Sequence, residues 1–523
     1  MIFFMFNRTS LLLFVFFAFI LETGYLSACP FSNYKKGVYK RKELAATLPN
    51  VDTKDVFIKY KKRYEIALNE LQYTYPFDLI QTRQQIQTLE NYLKVCDSHY
   101  EKRAIKKTAS CLKLLVEKDY KTNLEGKDRY KYFLESLRIA IENKENANWE
   151  KLEIKNAVDL VLQDIAYAHF TVNFNHTDIG YNYFWKIMPK DFAQLEPTQL
   201  NAKLLNKAIN KIFPLSSPQL FLSRVNRKIH SPIFSSWDGA MATIRSKMAN
   251  YQWEDRNVSL LRMSCPVYGK NYHSQIDPTF IQYLNALKSK GKKHLYISNL
   301  DTASSTHSRE FKMSQSLLDL SSKPEYQNTL LFITLPLDSP FYKQGNLGLL
   351  RASYFKETFL NSMLLKQEGF YFPSSLLTKS DFISFLDEMV DQIHKGYFEE
   401  REFLERIERC QFIDIAYAHI AKYLIEQNNI DMVNWTCHHG IDRSMNTVAV
   451  FDVLLQSLSK APIHLDSTVY LSSWPAMLYY HRHPETARIV RCYSAIQKLL
   501  EKKVETTLPK TDPSEVKDLA LMN

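Results

Sequence analysis

A chain of 523 residues with 45% hydrophobic and 13% aromatic residues has the length for two or three domains and enough apolar content for packed cores, which excludes a largely disordered chain. Only 12 glycines argue against repeated glycine-rich nucleotide loops and against an all-β fold full of tight turns. The formal charge of +11, spread as lysines along helical segments, is either a solvated basic face or an attraction to something anionic, and with no zinc-finger spacing or RNA-recognition signature nucleic acid ranks last among such partners.

The N-terminus reads as a targeting segment. Arg8 precedes "LLLFVFFAFIL", Leu11 to Leu21, an apolar run short for a bilayer span and of signal-peptide length. Leu26-Ser27-Ala28-Cys29 then resembles the lipobox of bacterial lipoproteins, and that resemblance implies cleavage after residue 28 and lipidation of Cys29. An uncleaved anchor or a plain secretion signal is the other reading. Either implies a protein exported to the cell envelope, held at a membrane or secreted, with delivery to a host cytosol as one further destination.

The seven cysteines are few and far apart, without a C-x-x-C pair or a disulfide-framework spacing, so most read as small buried hydrophobes. From Val51 to Phe170 the texture is helical and charged. Ile86, Leu89, Leu93 and Cys96 follow 3-4-3 spacing, as do Val158, Val161, Ile165 and Ala168. Pro76 and the "TNLEGKD" stretch around Gly126 read as connections. An all-α region over 29–230 is expected, either supporting the rest of the chain or offering a face to a protein partner. "DIAYAH" occurs at Asp164–His169 and again at Asp414–His419 without repeated flanks, a coincidence rather than a duplication, with both histidines read as ordinary helix residues near a packed face.

Beyond Ser231 the pattern changes. "KKHLYISNL" (Lys292–Leu300), "NTLLFITLPLD" (Asn328–Asp338) and "MVNWT" (Met432–Thr436) read as buried strands. "REFKMSQSLLDLSS" and a block over 380–427 read as helices between them, and Val448, Phe451, Leu455 and Leu458 mark a helix after the last strand. Strands alternating with helices predict an α/β domain over 231–500, its mainly parallel sheet flanked by helices, followed by a polar tail over 501–523.

The junction of the last strand with its helix is "CHHGIDRS", Cys437 to Ser444. Attack on a phosphate monoester needs backbone N–H donors around three oxygens, and a tight loop entering a helix supplies them. It needs a fixed cation, which arginine's planar fork provides better than lysine. It also needs a nucleophile stabilised as the thiolate by those same donors. Five residues between Cys437 and Arg443 are enough to wrap one phosphate, with His438, His439, Gly440 and Ile441 as the substrate-binding wall. Gly440 can take positive φ, and Ser444 can donate to the thiolate as it leaves.

This stretch resembles the cysteine-dependent phosphatases of C-x(5)-R signature, most closely their lipid and inositol phosphatase branches: the myotubularins, Sac-type phosphatases and bacterial effector inositol phosphatases. Asp442-Arg443-Ser444 matches the Asp-Arg-Thr loop ending and Gly440 the myotubularin-like glycine. The resemblance implies a phosphocysteine on Cys437, a phosphoryl group held by Arg443, turnover assisted by Ser444, and Asp442 orienting either the loop or the attacking water. Thr436, Met445 and the His438-His439 pair depart from it, and those histidines either contact further phosphates or pack at the rim.

For the general acid, Asp338 at the end of "TLPLD" is the first candidate and Asp301, closing "YISNLD", the second. Trp474-Pro475 lacks an aspartate, and His481, Arg482 and His483 read as a surface turn. No spaced carboxylate–histidine set suggests a metal, and no cofactor is expected. The expected protein is thus a phosphatase-like α/β domain behind a helical region, acting on a phosphorylated lipid, inositol phosphate or protein, with a membrane contact through the N-terminal anchor. The rival from another class is a membrane-tethered interaction protein whose loop binds an anion without turnover.

Overall fold

A computed structural model of the chain describes residues 73–74, 76–117, 126–171, 173–174, 246–253, 256–268, 275–303, 308–345, 348–438, 440, 443–458 and 486–501. Two units divide the chain; every described residue belongs to the one formed by 62–215 and 219–523, and the other, 1–61 with 216–218, lies outside them. Outside them too are the apolar run over 11–21, Cys29, the boundary expected near Ser231, Trp474, the His481–His483 turn and the tail after residue 501. Among the described residues no helix is long and apolar enough to cross a membrane.

Four helices lead the described chain: α1 (Leu79–Val95), α2 (His99–Val116), α3 (Gly126–Asn146) and α4 (Leu152–Thr171). Asp78 caps the first, accepting from the backbone N–H groups of Ile80 and Gln81, which satisfies two of the donors a helix start leaves open. Ile86, Leu89, Val158, Val161 and Ile165 of the 3-4-3 rows bury together with Leu112, Phe133 and Leu137. Gly126, in the stretch expected as a connection, is the first residue of α3, and residues 118–125 lie outside the described residues. Near the end of α4, Ala166 and Phe170 pass into a different cluster, packed with Leu261, Phe280 and Tyr283.

That second cluster is one side of a seven-stranded sheet. Its strands are β1 (Tyr73–Thr74), β2 (Asn173–Phe174), β3 (Ser246–Trp253), β4 (Arg256–Arg262), β5 (His294–Ser298), β6 (Leu330–Thr334) and β7 (Met432–Thr436), in the spatial order β1-β2-β3-β4-β7-β5-β6. Strands β4, β7, β5 and β6 run parallel, with Val433 opposite both Leu260 and Leu295. Strand β3 joins β4 antiparallel across a bulge between Lys247 and Ala249. The three strands expected from the sequence form where they were placed; the β3–β4 pair was not anticipated, and the region expected to be all-α over 29–230 contributes the short paired strands β1 and β2 to the same sheet.

Side chains of successive strand residues leave opposite faces, and both faces here are covered. Leu295, Ile297, Ile333, Val433 and Trp435 pack on one side against α7 (Ala352–Leu364), α8 (Ser380–Phe398), α9 (Arg406–Asn428), α10 (Arg443–Leu458) and α11 (Thr486–Glu501); α5 (Pro278–Ser289) and α6 (Arg309–Ser321) precede them in the chain. Tyr296, Phe332 and Met432 pack on the other side against α5, α6 and the end of α4. Helices on both faces explain why these strands read as unbroken apolar runs rather than as alternation.

A polar chain crosses the central strands. Tyr283 hydroxyl lies 2.9 Å from His294 Nδ1 and His294 Nε2 lies 2.5 Å from Asn434 Oδ1. The Asn434 amide donates to Thr436 Oγ1, whose hydroxyl donates to Met263 O at 3.3 Å. A neutral His294 donating through Nε2 satisfies every member of this chain. Burial pushes its pKa down to about 4. His419, on α9, is likewise pushed down by burial to about 3, and Lys422 adds to the shift.

Both histidines bind a proton more readily in the unfolded chain than in the folded one. Their contribution to stability is therefore intact above their ordinary value near 6.5 and is lost as pH falls from there through about 4 and about 3, at roughly 1.4 kcal/mol per pH unit for each. The denaturant midpoint should drop between pH 7 and pH 4.5, and His419→Leu should shrink that drop; a drop of the same size in the variant would show that His419 is not among its sources.

Candidate active site

The site lies at the C-terminal edge of the parallel strands, where open α/β sheets place their ligands. Strand β7 ends at Thr436, the chain passes through Cys437, and α10 begins at Arg443. The loop is drawn against the end of β4: Cys265 N–H donates to His438 O at 3.3 Å and Arg262 Nε to Gly440 O at 3.0 Å. Gly440 N–H returns to Cys437 O at 3.3 Å.

Gly440 has no substitute here. Its φ is +63°, and a Cβ would stand 2.2 Å from Met263 O, a backbone atom that cannot swing away. The glycine at this place in the motif is thus explained twice, by left-handed backbone and by the closeness of a neighbouring strand.

Cys437 Sγ lies 3.5 Å from Ser444 Oγ, and both residues are buried. Arg443, the first residue of α10, is gripped by both oxygens of Glu310: Nη1 donates to Oε2 at 2.8 Å and Nη2 to Oε1. Its Nη1 also stands 3.5 Å from Leu337 O and 3.4 Å from Asp338 Oδ2. Burial alone would lower the arginine's pKa; the hydrogen bond to Glu310, with the charges of Cys437, Glu310 and Asp338, outweighs that and raises it above the ordinary value.

Each partner arrives from a different strand end. Glu310 sits in the first turn of α6, where Ser308 caps the helix by accepting from Phe311 N–H, and it also accepts from Asp301 N–H at 2.6 Å. Asp301 closes β5 and turns its own carboxylate onto Ala303 N–H at 3.1 Å. Asp338 follows β6 and is held by Arg488 Nη2 of α11 at 2.6 Å, with Lys343 Nζ 3.7 Å away. Arg309 Nη2 donates to His438 Nδ1 at 3.2 Å, so that nitrogen is an acceptor. Beside the loop, burial pushes the Cys265 thiol up to about 12, which keeps it protonated near neutrality.

Cys437, His438, Gly440, Arg443, Ser444 and Asp338 are therefore brought together, and Asp301 joins them through Glu310. His439, Ile441 and Asp442 lie outside the described residues. Arg262, Arg309, Glu310 and Arg488 were not foreseen. Of these only Glu310 carried a readable signal, a carboxylate in the first turn of a helix that follows a parallel strand. Among the described residues no cluster of His, Cys, Asp and Glu is arranged to hold a metal ion; none of the six described cysteines is in a disulfide, and all are buried. The chain matches no protein-family model, no curated protein and no solved structure.

Gly440→Ala should destabilise the fold by about 1–3 kcal/mol, the scale of one strained backbone position, and should open the loop away from Met263. Denaturant unfolding of the variant measures the first. An unchanged midpoint would mean that the loop does not need this close approach.

Proposed function

We propose that this protein is a cysteine-dependent phosphatase whose α/β domain carries a C-x(5)-R loop, hydrolysing a phosphate monoester of a lipid, an inositol or a protein through a phosphocysteine. The observation that carries the reading is the setting of Arg443: a buried guanidinium at a helix start, gripped by Glu310, seven residues after a strand end and beside the Cys437–Ser444 pair. A purely structural cysteine has no need of such a company of charges.

In this reading the loop N–H groups and Arg443 hold three phosphoryl oxygens. Cys437 Sγ attacks phosphorus, the S–P bond forms, and the P–O bond to the alcohol breaks. Asp338 supplies the proton that the leaving oxygen takes up. Its carboxylate stands 3.4 Å from Arg443, so an arriving phosphate meets it directly, and a proton shared between the two anions relieves their repulsion. Water then attacks phosphorus, its proton passes to Asp338, and the S–P bond breaks with Ser444 donating to the departing thiolate. The sum is monoester plus water giving alcohol plus inorganic phosphate. Asp301 is the alternative acid, one element away on the same edge. The formal charge of +11 suits an anionic substrate and, with the N-terminal segment, an anionic membrane surface.

A second reading, a phosphate binder without turnover, is favoured by the burial of Cys437, which is 1% exposed, and by the arginines that hold Asp338 as an acceptor. Phosphate release from a panel of phosphoinositides, soluble inositol phosphates and phosphotyrosine peptides separates the two. Wild type should release phosphate from at least one, and Cys437→Ser and Arg443→Ala from none. Asp338→Asn should lower kcat by about 10²–10⁴-fold on a poor leaving group and far less on an activated aryl phosphate. Equal losses on both would move the acid to Asp301. Silence across the panel with Cys437 still shielded by vanadate from alkylation would leave the binder reading standing.

A further inference from the structure

One oxygen of Asp338 lies between two arginines. Its Oδ2 is 2.6 Å from Arg488 Nη2 and 3.4 Å from Arg443 Nη1, while Lys343 Nζ stands 3.7 Å from Oδ1. The residue is also strained, with φ at +87°, in a region where a side chain other than glycine costs of order 1–3 kcal/mol unless its surroundings hold it. Those surroundings come from the far end of the described chain.

Helix α11 carries Arg488 and, three residues on and so on the same face, Arg491. Arg491 Nη1 donates to Tyr342 O at 2.5 Å, and its guanidinium stacks 3.3 Å above the Tyr342 ring. It also pairs with Asp414 of α9 through Nε at 2.8 Å and donates to Cys410 O at 3.1 Å. Tyr342 belongs to the short helix Pro340–Lys343 that directly follows Asp338, and its hydroxyl donates to the same Asp414 at 2.9 Å. Segment 338–343 is thus clamped to α11 at two points, and the clamp fixes which cation Asp338 touches most closely.

We propose that Arg488 is a positioning residue of the site: a counter-ion that keeps Asp338 when an oxyanion enters the loop and draws Arg443 away. The proposal rests on the phosphatase reading and adds to it the means by which a carboxylate beside the cradle does not block it. Asp338 leans between both arginines. In the filled site Arg443 turns its hydrogen bonds to the oxyanion, and Asp338 stays on Arg488, close enough to the leaving oxygen to exchange a proton with it. Without Arg488, the carboxylate would be left to Arg443 and Lys343, in direct competition with the incoming anion.

The test is made on the full chain, by iodoacetamide alkylation of Cys437 against a titration of vanadate, with circular dichroism to follow folding. Arg488→Ala should raise the half-protecting vanadate concentration about tenfold or more, the scale of one charge-assisted hydrogen bond, and Arg488→Lys should fall between it and wild type. Asp338→Asn, which removes the competing charge, should lower that concentration. The double variant should return close to the Asp338→Asn value, because Arg488 acts through Asp338. The proposal is overturned if Arg488→Ala protects like wild type, or if its loss persists in full when residue 338 is asparagine. Should Arg488→Ala fail to fold, Asp338→Asn decides alone, since weaker protection there contradicts a competing carboxylate. A wild-type Cys437 that vanadate does not protect removes the phosphatase reading itself, whereas a protected wild type with no coupling between 488 and 338 removes only this proposal.

Discussion

The buried guanidinium of Arg443 is the group on which the arrangement of this edge depends. A cation taken out of water must be compensated by charges and acceptors close by, and the compensating groups here come from three different parts of the chain. Glu310 is held at the start of α6, Leu337 and Asp338 lie past the end of β6, and Cys437 closes β7. Removing one member of such a set leaves a desolvated charge behind, at a cost of about 3–5 kcal/mol. The strand ends are therefore held in register by electrostatics as well as by the sheet. Because Glu310 also accepts from Asp301 N–H, the end of β5 is drawn into the same unit.

Below that edge the sheet prepares the loop. A central parallel strand, covered on both faces, would ordinarily be apolar throughout, yet β7 contains Asn434 and Thr436, both buried. Each is explained by the chain that runs from Tyr283 through His294 to Met263 O. Buried polar chains of this kind are stable only when every donor and acceptor is paired, and pairing ties β5, β7 and the end of β4 together just beneath Cys437. The same Met263 carbonyl is the atom against which Gly440 packs. The shape of the loop is thus set from below by a fixed carbonyl and from the side by Arg262 and Cys265 N–H.

The helices on the opposite face act on the site through charge as much as through packing. Arg491 and Asp414 form a buried pair between α11 and α9, with Tyr342 stacked on the arginine and bonded to the aspartate. Such a pair is weak evidence for stability in itself, since desolvation offsets most of the attraction. Its effect is geometric: it fixes where the chain after β6 lies, and so where Asp338 is presented. The two "DIAYAH" copies illustrate how context decides a motif. Asp414 is buried in this pair, whereas Asp164 lies at the surface, where its partner is Lys290.

Much of this was legible in the sequence because it depends on local period and local backbone. Three buried strands, the helices between them and the strand–loop–helix around Cys437 follow from apolar runs, breakers and 3-4-3 spacing. Gly440 followed from the need for positive φ in a tight loop. The pair β3–β4 was missed because "SKMANYQW" and "RNVSLLR" mix polar and apolar residues without clean alternation; their places are set by pairing with each other and with β7, not by their own composition. Arg309, Arg262 and Arg488, and the partner that Glu310 takes, were out of reach for a related reason. Arg309, Arg262, Arg488 and Glu310 stand 134, 181, 45 and 133 positions from Arg443 in the chain or on its far side, and no spacing rule links a charged residue on one element with an ion partner on another. By itself the sequence determined which segments could be strand, helix or anion-binding turn. Which charges meet at the strand ends was decided only when the parallel sheet brought four of those ends to one edge, since electrostatic pairing acts across space and leaves no period along the chain.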